Sequence, residues 1–446
     1  MNQRIASCGP HLISLNNSPP RLIVSSALLL AAGAFFFFRG PYRELRDSQD
    51  FALVYSASRC WVAGLDPYQQ ENIDREYRLA GGDPTVAPNP ASTPSVYPPD
   101  TLALVSILAV ADWTTARMAW MAICTVAFLI SIPLVLRSAY ARSYKLAFYL
   151  LAFSLLYSPV NSGLAKGQPG VLAISLLTTA IHLPAFRRRE TLGGLLVGLS
   201  CCIKPQIALP FLLFFAWQRR GRVIAAALCV IVLVSVAALT RITYNSPTWA
   251  KHWVSTVQAS TRPGAPNDPT TFRGSSSYQL VNFQSAVGFF TNNPVIYNLV
   301  TCAVIFGLAA VAFAMQRPQP QLPWLMLGLL STLVLLGSYH RYYDSQLLLL
   351  CGGGMLATDW TARRGLLGWV LSLVACLSFP LQVAAAKAYS LPAAQSRLAG
   401  GGRTLAFFAL HHQPLCLLAI ALIFAWLIVV SPPRGRDEGD AAKEAR

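Results

Sequence analysis

The feature that most limits what this chain can become is a recurrence of apolar runs from Leu22 to Val430. Runs of about 20 residues span the ~30 Å hydrocarbon core of a bilayer when they are helical. Water is absent from that core, so each backbone N–H and C=O must find its partner within the chain, and helices achieve this segment by segment. The composition agrees, with 54% hydrophobic and 12% charged residues, where soluble domains carry roughly 25% charged. The expected fold class is therefore an all-α polytopic membrane protein, one bundle over residues 1–430. A short polar tail at 431–446 reads as disordered and cytoplasmic. No small-residue cleavage site follows the first run, which predicts a retained helix and not a signal peptide.

Net charge is +17, from 35 basic and 18 acidic residues. The basic residues gather in short clusters between apolar runs, at Arg137/Arg142/Lys145, Arg187–Arg189, Arg219/Arg220/Arg222, Arg317, Arg363/Arg364 and Arg434/Arg436. That is the pattern of cytoplasmic loops facing anionic headgroups, and no nucleic-acid partner is expected from it. With those clusters and both termini in the cytoplasm, spans fall near 22–38, 100–136, 143–160, 167–184, 191–217, 222–240, 297–315, 321–338, 343–357, 365–385 and 404–430. Residues 191–217 begin and end beside arginines, so they must enter and return, turning at Lys204-Pro205. Residues 100–136 exceed one crossing, and Thr101–Val110 reads as a partial segment. The count is about 11–13 transmembrane or half-membrane helices. The exported loops are then 39–100, which carries an interfacial helix, 161–168, 241–294, 338–343 and 387–403. An Ala-, Arg- and Pro-rich composition points to a bacterial cytoplasmic membrane.

Nine of the 18 acids lie between Glu44 and Asp100, and four more lie in the tail. Few carboxylates remain for the bundle, which argues against a cation-coupled transporter. Ten cysteines occur without a CxxC, mostly inside apolar runs, so neither a disulfide framework nor a zinc site is indicated.

In Ser48–Tyr68, SQDFALVYSASRCWVAGLDPY, apolar and aromatic residues repeat at three- and four-residue steps, which predicts an amphipathic helix ending at Gly64. Asp50 stands at its head, a favourable place for a carboxylate, where an N-cap and a catalytic base are the two readings. Lys204, between apolar residues at the apex of two half-helices, either snorkels to water or meets an anion. GLAKGQ offers Lys166 and Gln168 at another helix end, and SYHRYYD at 338–344 offers His340 and Arg341. Lys204, Lys166, His340 and Arg341 could face one exported surface and receive a lipid phosphate. Tyr97, before Pro98-Pro99, and Trp253, in a loop with amides such as Gln284, suit either the interfacial belt or sugar contacts. No GxGxxG after a strand, P-loop, DxD or spaced histidine set is present, so no cofactor and no metal are expected.

The ordered set D-F-x-x-x-Y, G-x-x-P-Y, Y-P-P, G-Q, I-K-P and a late H-R-Y-Y resembles glycosyltransferase family 87 over roughly residues 20–350. That family comprises polytopic enzymes of the GT-C fold that use polyprenyl-phosphate sugars, among them mycobacterial mannosyltransferases. The resemblance implies Asp50 as catalytic base, with Lys204 and His340 handling the donor phosphate; the residues themselves add Arg341 and Lys166 to that anion-binding set. Substrate contacts are expected from Tyr55, Gln168, Tyr97, Trp253 and Gln284. Where the family tends to read Asn-Gln-Ser, this chain has Asn282-Phe283-Gln284-Ser285, which leaves the acceptor side open. The implied reaction is inverting, metal-independent transfer of a sugar, mannose first, to a glycolipid or polysaccharide hydroxyl. Its partners would be the donor, that acceptor and membrane lipids. A flippase or transporter of a lipid-linked saccharide is the alternative, and it would need a polar path through the bundle.

Overall fold

The computed structural model describes residues 19–83, 95–140, 144–183, 189–270, 279–317, 322–350, 370, 372–377 and 401–430. Among these the regular elements are helical, apart from one isolated antiparallel bridge between Leu280 and Arg341. Five helices are long and apolar enough to cross a membrane: Ile23–Asp47, Trp113–Leu136, Gly221–Asn245, Pro294–Met315 and His412–Val430. Ala147–Leu156 and Ser158–Ala165, bent by 42°, make a sixth if taken as one broken span. Five shorter apolar helices accompany them. The chain is an all-α polytopic membrane protein.

The first half runs α1 (Pro19–Arg39), α2 (Pro41–Asp47), α3 (Gln49–Ala63), α4 (Gln70–Leu79), α5 (Pro99–Ala109), α6 (Trp113–Tyr140), α7 (Tyr144–Leu156), α8 (Ser158–Ala165) and α9 (Pro169–His182). Then come α10 (Glu190–Ile203), α11 (Pro205–Trp217), α12 (Gly221–Asn245), α13 (Trp249–Ser260), α14 (Phe283–Gly288), α15 (Pro294–Met315) and α16 (Leu322–Gly337). A 3₁₀ turn at Tyr342–Leu348 follows, then α17 (Gly401–Leu410) and α18 (His412–Val430). Proline stands in the first turn of α2, α5, α8, α9, α11 and α15. Its missing N–H costs nothing there, so the prolines punctuate the bundle without breaking it.

Several expected segments take the shape that their charge pattern demanded. Residues 100–136 divide into the short α5 and the long α6, and 191–217 divide into α10 and α11 at Lys204. Others differ. The run 404–430 is not one helix but two, parted at His411. In the loop expected at 39–100, α4 follows the helix that carries Asp50, and α13 and α14 occupy part of the loop expected at 241–294. The tail at 431–446, the loop residues 387–400, residues 351–357 of the span expected at 343–357 and most of the span expected at 365–385 lie outside the described residues.

The helix carrying Asp50 also differs from expectation. An interfacial amphipathic helix should keep one face wet, yet Phe51, Ala52, Val54, Tyr55, Ser56, Ala57, Ser58 and Cys60 of α3 are all buried. These positions run round the whole helix, because α4, α5 and the start of α6 fold over the side that would have faced water. The Phe51 ring stacks on Trp120 at 5.0 Å and on Trp113 at 5.8 Å. Offset stacking of this kind adds ~0.5–1.5 kcal/mol per pair beyond area burial. The α3 helix is thus a core element, and its position is set by aromatic packing.

Close approach of backbones holds the centre of the bundle. A Cβ on Gly194 of α10 would stand 2.4 Å from the Val223 carbonyl oxygen of α12, and one on Gly198 would stand 2.8 Å from that of Ala227. Small residues at such crossings let membrane helices meet through dispersion contacts. Alanine at Gly194 or Gly198 should therefore destabilise by ~1–3 kcal/mol through overpacking. Alanine at Gly307, where nothing lies within 4 Å of the new Cβ, should be neutral or gain up to ~1 kcal/mol from helix propensity. Thermal unfolding of the three variants in one detergent checks this, and equal midpoints would contradict it.

Candidate active site

The site is built where helices stop. Between α8 and α9 the chain turns through Lys166, Gly167 and Gln168. Gly167 has φ +63°, and a Cβ there would lie 2.6 Å from Phe51 Cβ, so glycine is required both for the backbone and for the space. The turn aims the Lys166 carbonyl at the start of α3, where it accepts from Asp50 N at 3.0 Å and Phe51 N at 3.3 Å. Trp120 Nε1 donates to the Gly167 carbonyl at 2.8 Å and holds the turn from below. A neighbouring carbonyl thus satisfies the orphan N–H groups of the α3 N-terminus. The N-cap position belongs to Ser48, which makes no side-chain cap bond and donates its hydroxyl to the Glu44 carbonyl. Asp50 is not the N-cap.

The Asp50 carboxyl, half-buried, accepts from Gln168 Nε2 at 2.8 Å through Oδ2. The Gln168 amide cannot flip, because its Oε1 already accepts from Gly170 N and from Tyr97 Oη, each at 3.3 Å. Burial raises the Tyr97 hydroxyl well above its usual value, so it stays a proton donor. The Tyr97 backbone is tied in turn: Tyr68 Oη donates to its carbonyl at 3.0 Å, and Trp253 Nε1 donates to the Val96 carbonyl at 3.1 Å. An unbroken chain of contacts therefore runs from α13 to the carboxylate on α3.

A second cluster lies across Gly170. Lys204 Nζ, at the break between α10 and α11, donates to Asp344 Oδ1 at 2.5 Å. His340 Nδ1 lies 3.1 Å from Asp344 Oδ2, and its Nε2 lies 3.1 Å from Ser338 Oγ. Asp344 and His340 are buried, and Lys204 is 6% exposed. Burial works to raise the Asp344 carboxyl, but the Lys204 ammonium and the His340 contact outweigh it and hold the group at about 2. Burial lowers the His340 imidazole against the pull of Asp344. A neutral ring donating from Nδ1 and accepting at Nε2 from Ser338 meets both contacts. Gly170 leaves the room: a Cβ there would stand 2.8 Å from Asp344 Oδ1 and 3.1 Å from Lys204 Nζ.

Arg341 stands between the two clusters. Its Nε donates to Tyr339 Oη at 2.5 Å and its Nη2 to Asn267 Oδ1 at 2.9 Å. The charge of Asp50 acts on Tyr97, Tyr339, Arg341 and Tyr343 together. Asp50, Gln168, Tyr97 and Arg341 thus interact as one group, with Lys204 and His340 joined to it through Asp344. The remaining candidates are occupied otherwise. Tyr55 is fully buried in the aromatic core and gives its hydroxyl to the Ala111 carbonyl at 2.5 Å. The Lys166 ammonium interacts with Asp47 of α2. The Gln284 amide is held by Asn298 at 2.6 Å and Asn282 at 2.8 Å. Trp253 packs 6.3 Å from Tyr68 and reaches the pocket only through the Val96–Tyr97 backbone. Among the described residues no group of three His, Cys, Asp or Glu is arranged to hold a metal ion.

Sequence reasoning missed Asp344 and Tyr339. For Asp344 a signal existed: it is the one acid between Asp268 and Asp359, and a lone acid beside apolar runs demands a cationic partner. Removing it strands a buried ammonium, so Asp344→Ala should cost ~3–5 kcal/mol, read as a lowered unfolding midpoint. The sign of the pH effect follows. With a folded value near 2 and a reference of 3.8, this carboxylate contributes stability above its unfolded pKa and loses it as pH falls through the folded one. The wild type should lose that increment below about pH 4, and Asp344→Ala should lack that part of the acid sensitivity.

The family model of glycosyltransferase family 87 matches residues 96–338, more than half of the chain. Tyr97, Lys166, Gln168, Lys204, Trp253 and Gln284 lie within the match, while Asp50, His340, Arg341 and Asp344 lie outside it. No curated protein and no solved structure matches the chain. The match covers the helices that carry the Gln168 turn and the Lys204 break, in a bundle of apolar spans, and it shows that this protein belongs to glycosyltransferase family 87 and is a membrane glycosyltransferase.

Proposed function

We propose that this protein transfers a sugar, mannose in the first instance, from a polyprenyl-phosphate donor to a hydroxyl of a glycolipid or polysaccharide acceptor. The reaction is inverting and metal-independent, on the exported face of a bacterial cytoplasmic membrane. The observation that carries the reading is the state of Asp50. One carboxylate oxygen is fixed by Gln168, and Oδ1 has no hydrogen-bond partner among the described residues. A half-exposed carboxylate with one oxygen committed and one free is held in direction yet able to accept a proton.

In this reading the acceptor hydroxyl gives its proton to Asp50 Oδ1 as its oxygen attacks the anomeric carbon. The anomeric bond to the phosphate oxygen breaks, and the phosphate leaves with the electron pair. Arg341, already oriented by Tyr339 and Asn267, meets the charge growing on that oxygen. The Lys204 ammonium has three N–H donors and gives one to Asp344, so two remain for the phosphate. His340 supports this arrangement through Asp344. Tyr97 and Gln168 contact the substrate side of Asp50, while Tyr55 acts through packing.

Incubating the purified protein with a radiolabelled polyprenyl-phosphate sugar and candidate acceptors tests the proposal. Asp50→Asn should fold normally and lose ~10²–10⁴-fold in transfer. Gln168→Ala should lose less, the ~1.5–3 kcal/mol of one hydrogen bond to a charged group. Full transfer by Asp50→Asn would remove Asp50 from the mechanism, and translocation of label without transfer would favour the carrier reading.

A further inference from the structure

A groove of about 690 Å³ lies between the end of α3 and the last three turns of α12, lined by Val62, Ala63, Val236, Ala237, Arg241 and Tyr244 among others. Its size falls within the ~300–1,000 Å³ of typical ligand sites. It stands at the opposite end of α3 from Asp50, roughly 20 Å away at 1.5 Å per helical residue. Its walls are apolar along Val236 and Ala237, and its one charged group is Arg241.

Arg241 is held in place before anything binds. Its Nε donates to the Trp61 carbonyl at 3.1 Å, an Nη2 hydrogen goes to the Val62 carbonyl, and its guanidinium lies 4.9 Å from the centre of the Trp61 ring. Its hydrogen-bond and ring partners among the described residues are thus two carbonyls and an indole, none of them anionic. A guanidinium has five N–H donors, so three stay available on a side chain that is already ordered. A pre-oriented fork is the donor geometry that suits a phosphate.

The surroundings identify the occupant as a lipid. The α12 helix is a candidate span of which 17% is buried, and Val232, Leu233 and Val236 on it are 56%, 65% and 59% exposed. In a membrane these side chains meet acyl chains. Arg241 and Tyr244, the latter 85% exposed, stand at the end of that span, where charged and aromatic residues meet headgroups. An acyl chain lying along Val232–Val236 carries its phosphate to Arg241. We infer that this groove seats an anionic phospholipid of the bilayer, its phosphodiester on Arg241 and one acyl chain along α12. The site is independent of the proposed reaction and of its donor.

The test uses the full-length protein in detergent and native mass spectrometry, with phosphatidylglycerol, phosphatidylcholine, diacylglycerol and glycerol phosphate as separate probes. The wild type should retain one phosphatidylglycerol more strongly than the other three. Ala237→Trp fills the groove at an exposed position and leaves Arg241 intact; Arg241→Gln removes the charge. Each should cut retention by about ten-fold or more, the order expected for one charge-assisted contact. Unfolding midpoints show whether each variant is folded, and if Arg241→Gln loosens α3, Ala237→Trp carries the test alone. Undiminished retention by folded Ala237→Trp would overturn the inference. So would equal retention of phosphatidylcholine or diacylglycerol, which marks an ordinary annular lipid, or full competition by glycerol phosphate, which marks a site for soluble phosphate.

Discussion

The contact on which the rest of the site depends is the ion pair between Lys204 and Asp344. It joins two places where helical hydrogen bonding cannot continue: the break between α10 and α11, and the 3₁₀ turn after α16. Non-helical backbone is tolerated inside a membrane bundle only where protein or water satisfies it. A charged pair in such a place is poor evidence of stability as such, since apolar replacements of equal volume often match it. What it supplies here is register. With Lys204 fixed at Pro205, Asp344 can sit in one place only, and Arg341 N donates back to the same carboxylate at 3.3 Å. The segment that carries Arg341 is thereby fixed against α9 and the Gln168 turn.

The electrostatic consequence reaches the pocket. Lys204 is offset by Asp344, and burial favours the neutral form of His340. Arg341 lies within the field of Asp50. Tyr97, Tyr339 and Tyr343, all buried enough to keep their protons, stand within the field of the same carboxylate. Under the proposed function, such a site would offer a proton acceptor on one side and a charge clamp on the other, as displacement of a phosphate by an alcohol requires.

Much of the architecture could be read from the sequence, because bilayer thickness and the position of arginines act on single segments. The turn at Lys204-Pro205 and the partial helix at α5 followed from charges that had to stay on one side. What could not be read was contact across long separations. Asp50 and Gln168 were both recognisable as polar residues at helix ends, but their hydrogen bond spans 118 positions. The burial of α3 was hidden for a similar reason: its own residues are only moderately apolar, and the covering comes from Trp113, Trp120 and Tyr77 on other elements. Asp344 stood in plain view beside His340 and Arg341. It was passed over because the cations nearby pointed to an external anion, when the first anion they meet is internal. The break at His411 had no punctuation of its own, since the nearest proline, Pro414, lies three residues beyond it.

Both ends of α3 are held by neighbouring elements, and this bears on why the proposed base stands on that helix. At its start the Lys166 carbonyl takes two backbone N–H groups, and at its end Arg241 of α12 takes two backbone carbonyls. These are the groups that a helix terminus otherwise leaves to water or to its own side chains. A helix of 15 residues is about 22 Å long, and one pinned at both ends to membrane spans can neither slide nor rotate without breaking four hydrogen bonds. General-base catalysis tolerates little displacement of the base. A loop aspartate at a lipid–water boundary would wander by more than that, whereas a carboxylate on a core helix clamped between α8–α9 and α12 keeps its distance from the bilayer constant, and with it from any phosphate anchored there.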